Sequence, residues 1–133
     1  MISKFVSGSE EEFVKQMNEK AHKLGMKNST FNNPSGLDET DGNYSSSYDM
    51  ALLMREALKY EEFRRITSTK KYKLKTNYKT YIWNNKNKLL ANDFIIGGKT
   101  GYTKKAGRTL VSAANIDNNT FIVVTIKDSD DWN

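Results

Sequence analysis

The stretch Gly97-Gly98-Lys99-Thr100-Gly101-Tyr102-Thr103, followed by Ala106-Gly107, sets a cation, a hydroxyl and a residue without a side chain in consecutive positions. On an extended strand beside a pocket, Lys99 offers a fixed positive charge to an anionic substrate, and the Thr100 hydroxyl can donate to the same group. Gly101 lets a ligand come close to the backbone. The triplet Lys-Thr-Gly also serves as the polar end of an ordinary strand. By itself it does not choose between the two readings.

Other chemistry is sparse. The chain has no cysteine and a single histidine, His22. That excludes disulfides, thiolate metal sites and thiol nucleophiles, and argues against a multi-histidine metal centre. His22 falls at the edge of a helical apolar stripe and reads as a surface residue. Asp38, Asp41 and Asp49 have no calcium-loop spacing, and Asp49 reads as a helix-start residue. Ser68-Thr69-Lys70-Lys71 spells Ser-x-x-Lys, but it falls between a helical turn and a strand. A nucleophilic serine and its lysine need to stand one turn apart on a buried helix, so this one reads as an exposed basic connector. No Ser-x-Asn occurs in the chain. Nothing calls for a cofactor or a metal.

The elements that must position Lys99 change type along the chain. Ser9-Glu10-Glu11-Glu12 is a capping box, with three carboxylates at the positive end of the helix dipole. Phe13, Val14, Met17, Ala21 and Leu24 follow at helical spacing and Gly25 stops them, which predicts a helix over Ser9–Leu24. Residues 27–46 are polar and hold Pro34, Gly36 and Gly42, with Phe31, Leu37 and Tyr44 as apolar anchors. They read as a long ordered loop. A second helix starts at Ser46 or Ser47, with Met50, Leu53, Met54, Ala57 and Leu58 on its buried face; a short helical turn, Glu61–Thr67, follows. From Lys70 the period changes: Tyr72, Leu74, Tyr78, Ile82 and Trp83 mark one or two extended segments. Phe94–Thr103 and Arg108–Ala114 read as strands around a turn at residues 104–107. Asn115–Asn119 reads as a hairpin turn, and Thr120–Ile126 as a third strand before a polar end at Lys127–Asn133. Trp83 and Trp132 read as packing residues. Helices first and strands second make the fold class α+β.

The chain's 133 residues fit one domain, and 37% apolar residues give it a core to bury. The formal net charge is +5. The basic side chains concentrate in residues 55–79, which carry net +6 with Tyr72 and Tyr78 among them and Tyr81 just beyond. That pattern admits a nucleic-acid surface, but it reads better as a solvated helix end and a lysine-guarded edge strand. A third reading is attraction to anionic wall polymers. No apolar run approaches the ~20 residues of a membrane span, and Met1–Gly8 has no apolar stretch long enough for an export signal.

The string GGKTGYTKKAGRTLVSAA resembles the strand-turn-strand of the low-molecular-mass penicillin-binding proteins, the serine D-alanyl-D-alanine carboxypeptidases. FVKQMNEKAHKLGMKNSTFNNPSGLD, YSSSYDMALLMREAL, FRRITSTKKY and NKNKLL resemble that family in the same order, so the resemblance runs from about Ser7 to Asn133. It implies a single partial domain over residues 1–133, the second half of a penicillin-binding, β-lactamase-like transpeptidase domain, with helices packed on an antiparallel sheet. It implies acyl transfer: a serine attacks the peptide bond between two terminal D-alanines of a peptidoglycan stem peptide, and water releases the acyl-enzyme. Lys99 then supplies the positive charge of the pocket. Lys99 and Thr100 hold the terminal carboxylate, and the Tyr102 N–H is one of two oxyanion-hole donors. Gly101 keeps the strand edge open, and Thr103 is a weaker substrate contact.

In that family the serine, its lysine and the Ser-x-Asn motif lie upstream of the Lys-Thr-Gly strand, and this chain carries none of them. The expectation is a chain inactive alone, binding stem peptide or β-lactam when completed by its upstream half. The alternative is a non-catalytic module that binds a peptide carboxylate or an anionic wall polymer. A sheet face or edge left open predicts oligomerisation, domain swapping or marginal stability. The resemblance implies the cell envelope as location.

Overall fold

A computed structural model describes residues 2–38 and 42–129. Asp41 and Trp132, both singled out above, lie outside the described residues. The chain begins with a helix that its sequence did not announce, α1 (Ile2–Ser7), which ends at Gly8 with φ +80°. Ser7 Oγ donates to Gln16 Oε1 (3.0 Å) and ties α1 to α2 (Glu10–Lys23). The α2 cap forms as its residues require: Ser9 Oγ accepts from the Glu12 N–H at 3.0 Å, while the Glu12 carboxylate turns to Lys15 (3.8 Å). After the loop come α3 (Ser47–Ala57), capped by Ser46, and α4 (Glu61–Ser68).

The strands form two separate sheets. Among the described residues β1 (Lys71–Lys75) and β2 (Thr80–Asn84) pair only with each other. A 3-10 turn over Lys88–Ala91, not foreseen in the sequence, leads to β3 (Ile95–Thr103), β4 (Gly107–Ile116) and β5 (Asn119–Asp128). These three form an antiparallel sheet in the order β3-β4-β5. The expected turn at Asn115–Asn119 shrinks to Asp117-Asn118, both at positive φ (50° and 63°). Such left-handed pairs match the twist of the strands they join, so β4 runs on to Ile116 and β5 starts at Asn119. β5 also continues through the segment read as polar, as far as Asp128.

The core lies between α3, α4 and one face of this sheet. Met54, Val111 and Ala113 are buried, and Met50, Leu58, Phe63, Ile96, Ile122 and Val124 pack on them. Val111 pairs with Val124, and Ala113 with Ile122, so those positions face the helices. On the other face, Phe121 and Val123 remain 51% and 64% exposed. Trp83, read as a packing residue, packs on Tyr72 and Tyr81 of the β1–β2 hairpin and stays half-exposed there.

Glu56 joins α2 to α3. Its carboxylate lies 2.7 Å from Lys59 Nζ and 2.9 Å from Lys20 Nζ. The hydrogen bonds from Lys59 and then Lys20 lower its pKa from 4.5 to about 2. A carboxylate held below its unfolded value contributes stability that is present above pH 4.5 and lost as the pH falls toward 2. The melting temperature of Glu56→Gln should therefore approach that of the parent as acid is added across this window. Melting curves at several pH values test this, and a gap that stays constant counts against it.

Candidate functional site

Among the described residues β3 pairs with β4 alone, so no strand covers its other edge. Lys99 pairs with Val111, and paired residues share a face; Lys99 therefore stands on the face covered further along by α3 and α4. All five residues from Lys99 to Thr103 line one cleft of about 1110 Å³. The sequence expectation placed these five at a substrate groove; in the structure all five line the same cleft.

Gly97 and Gly98 set the strand in place. Gly97 has φ +151°, and a Cβ there would meet Thr67 Oγ1 of α4 at 2.4 Å. A Cβ on Gly98 would meet the Val111 carbonyl oxygen at 2.6 Å and Asn87 Nδ2 at 2.7 Å. Helix and 3-10 turn thus close on β3 where side chains are absent. Lys99 is exposed, and its ammonium donates to the Thr100 carbonyl. The Thr103 hydroxyl accepts from the Ala106 N–H (3.0 Å), which gives it a part in the β3–β4 turn. Arg108 stacks its guanidinium over the Tyr102 ring, 5.5 Å from the centroid.

The opposite wall is the polar loop between α2 and α3, and it is held by its own side chains. The Asn18 amide clamps Phe31, accepting from its N–H (2.9 Å) and donating to its carbonyl (2.7 Å). Thr30 and Tyr44 exchange backbone hydrogen bonds of 2.9 Å each. Asn43 Oδ1 accepts from the Asn32 N–H (2.8 Å). Asp49, 1% exposed, accepts from the Asn28 N–H (2.7 Å) and the Ser29 hydroxyl (2.8 Å). The sequence marked Asp49 only as a helix-start residue; its larger part is to bolt this loop onto α3. Lys105, from the β3–β4 turn, reaches over the Tyr44 ring at 5.9 Å and connects the two walls.

Sequence reasoning missed Lys86, Lys105, Arg108 and, on β5, Lys127, which join Lys99 in the lining. With Asp38 as an acidic counterpart, the lining is rich in cations and suits an anionic ligand. Their spacing along the chain carried no such signal, because three separate segments bring them together. Ser68 ends α4 and Lys71 begins β1, so the Ser-x-x-Lys spelling does not place that pair one helical turn apart. His22 is exposed on α2.

Residues 1–130 match the family described as D-alanyl-D-alanine carboxypeptidase. The chain belongs to that family. Among the curated D-alanyl-D-alanine carboxypeptidases, it is 46% identical to DacF of Bacillus subtilis over 125 residues, covering 92% of this chain and 32% of that protein. It is 34% identical to DacA of Escherichia coli K12 over 118 residues, covering 85% and 28%. Solved structures of this kind share the fold. The Streptomyces K15 DD-transpeptidase superposes with a TM-score of 0.83 at 32% identity, over 90% of this chain and 48% of the other. A D-alanyl-D-alanine carboxypeptidase from Mycobacterium tuberculosis does so with a TM-score of 0.83 at 30% identity, over 92% and 47%. The fold is therefore α+β, of the penicillin-binding DD-peptidase kind. The chain spans about a third of the length of these curated relatives and about half of these solved ones.

Proposed function

We propose that residues 1–133 form the substrate-holding half of a serine D-alanyl-D-alanine carboxypeptidase domain, which trims the terminal D-alanine from peptidoglycan stem peptides. The observation that carries this is the order of Lys99, Thr100, Gly101, Tyr102 and Thr103 along an open strand edge that lines a cation-rich cleft. Lys99 and Thr100 hold the terminal carboxylate of the peptide, or the carboxylate of a β-lactam. Gly101 leaves room for the peptide backbone beside the strand. The Tyr102 N–H faces the carbonyl oxygen as it becomes an oxyanion. Thr103 acts mainly through the turn it pins.

The attacking hydroxyl comes from a serine outside these residues, one turn from its lysine on a buried helix. The lysine takes the serine proton, the serine oxygen bonds to the carbonyl carbon, and D-alanine leaves with a proton on its nitrogen. Water then cleaves the ester. The chain alone is inactive in this reading, because its one Ser-x-x-Lys spelling, Ser68 to Lys71, is split between α4 and β1 and no Ser-x-Asn occurs in its sequence. It works in the cell envelope, where the polymer lies. Among the described residues no helix is long and apolar enough to cross a membrane. The exposed Phe121 and Val123 face favours a second copy or a swapped strand when the other half is absent.

Incubation with a fluorescent penicillin followed by denaturing electrophoresis tests the assignment. The chain alone should give no covalent band. Joined to an upstream half that brings the serine, it should give one, and Lys99→Ala should weaken it at least about a hundredfold, as loss of a main electrostatic contact does. A band from the isolated chain that vanishes with Lys99→Ala would overturn the division of labour. An undiminished band from the joined Lys99→Ala protein would overturn the role of Lys99.

A further inference from the structure

The β1–β2 hairpin is not used by the site described above, yet all ten of its strand residues are exposed. Its two faces differ in kind. Tyr72 pairs with Trp83 and Leu74 with Tyr81, which places all four on one face, each between 39% and 53% exposed. Trp83 lies 6.2 Å from Tyr72 and 5.5 Å from Tyr81, centroid to centroid, with planes inclined by only 12° and 10°. Lys79 brings its ammonium to 5.4 Å from the Tyr81 centroid. Lys71, Lys73 and Lys75 occupy the reverse face, opposite Asn84, Ile82 and Thr80. Tyr78 stands 99% exposed at the tip.

The hairpin is built to hold this shape. Thr76 Oγ1 accepts from the Lys79 N–H (3.0 Å) and donates to the Lys79 carbonyl (2.9 Å), closing the tip. At the base the Asn85 N–H donates to the Lys70 carbonyl (2.9 Å), and its amide donates to the Thr69 carbonyl (3.1 Å). A two-stranded ribbon is marginal in water, and four adjacent apolar side chains left wet gain little by burial. Such a face is the signature of an interaction surface. The base of the hairpin leads directly to Lys86, which lines the cleft of Lys99.

We propose that this hairpin docks the glycan strand of peptidoglycan, the polymer whose stem peptide enters the cleft. The inference rests on the function proposed above and deepens it. The electron-rich ring faces suit the C–H faces of sugar rings. The lysines draw in a polymer whose stem peptides carry carboxylates. Continuity through Lys86 lets one polymer reach both sites. A bilayer fits less well, because three of the lysines point away from the aromatic face and could not reach headgroups while the rings are inserted. Nucleic acid would share the charge attraction, so it enters as a control.

The test is co-sedimentation of the full chain with purified peptidoglycan sacculi stripped of attached polymers. The parent should bind, and the double variant Tyr81→Ala/Trp83→Ala should bind at least tenfold more weakly. Lys73→Ala/Lys75→Ala, on exposed sites that leave the aromatic face intact, should also weaken binding and flatten its salt dependence. Lys99→Ala, which removes one cleft contact and leaves the hairpin intact, should weaken binding less than either hairpin variant, which separates this surface from the cleft. No binding by the parent overturns the proposal, as do hairpin variants that bind unchanged. A loss confined to Lys99→Ala, or equal affinity for single-stranded DNA or phosphatidylglycerol vesicles, overturns it too. None of these outcomes bears on the penicillin-labelling result.

Discussion

Replacing Asp49 by alanine should destabilise the chain by about 3 kcal/mol and lower its melting temperature by roughly 10 °C. The Asp49 carboxyl is almost wholly buried and accepts from the Asn28 N–H and the Ser29 hydroxyl. Its own N–H donates to Ser46 Oγ (3.2 Å), so the residue also belongs to the α3 cap. Alanine leaves both loop donors facing a dry hole, and a buried donor without a partner costs more than the bond itself was worth. Ser29 keeps its contact with Ser45 (2.8 Å), which limits the damage on that side. Asp49→Asn, which retains one acceptor oxygen, should recover part of the loss. Urea melts of the two variants give the ordering. Amide exchange at Asn28 and Phe31 should quicken most, because this is where the cleft wall leaves its anchor. A uniform increase over the whole chain would mean that Asp49 supports the core and not the loop.

The same residue shows where sequence reading stopped. Asp49 at the first turn of α3 is legible as a dipole partner from local pattern alone. Its contacts come from residues twenty and twenty-one positions earlier, and no spacing rule reports those. Elements whose signals are local were legible. The Ser9 cap, the Gly25 stop and the apolar rows of α2 and α3 are examples, and β3 to β5 carried enough β-branched and glycine punctuation to be found. The candidate site at Lys99–Thr103 was proposed through a resemblance of several blocks in order, since the triplet alone has too little content. α1 and the 3-10 turn at Lys88–Ala91 escaped because each is a turn or two long. The hairpin was legible as one or two extended segments with a solvated, lysine-bearing edge, but its aromatic face was not. The alternation is poor along the chain, and Tyr72, Leu74, Tyr81 and Trp83 come onto one face only through the register of the two strands, which no single segment reports.

Gly98→Ala should cost about 2–3 kcal/mol, whereas Gly101→Ala, three residues along the same strand, should cost under about 1 kcal/mol. Both substitutions add one methyl group to β3. At Gly98 the new carbon would lie 2.6 Å from the Val111 carbonyl oxygen and 3.2 Å from Ser112 Cα, and neither can rotate away. Asn87, 2% exposed, blocks a third direction, with its Oδ1 already accepting from the Leu89 N–H (3.1 Å). The strand must therefore shift as a whole, and with it Lys99 and Thr100. At Gly101 the nearest atom is Thr109 Oγ1 at 2.5 Å, the end of a side chain that can turn about one bond. The two glycines thus separate stability from substrate access. Chemical denaturation should rank Gly98→Ala as the damaging change. Penicillin labelling of the joined domain should fall with both: through displacement of Lys99 in Gly98→Ala, and through crowding of the strand edge in a stable Gly101→Ala protein. Equal stability losses at the two sites would mean that β4 yields to β3 more readily than its buried backbone suggests.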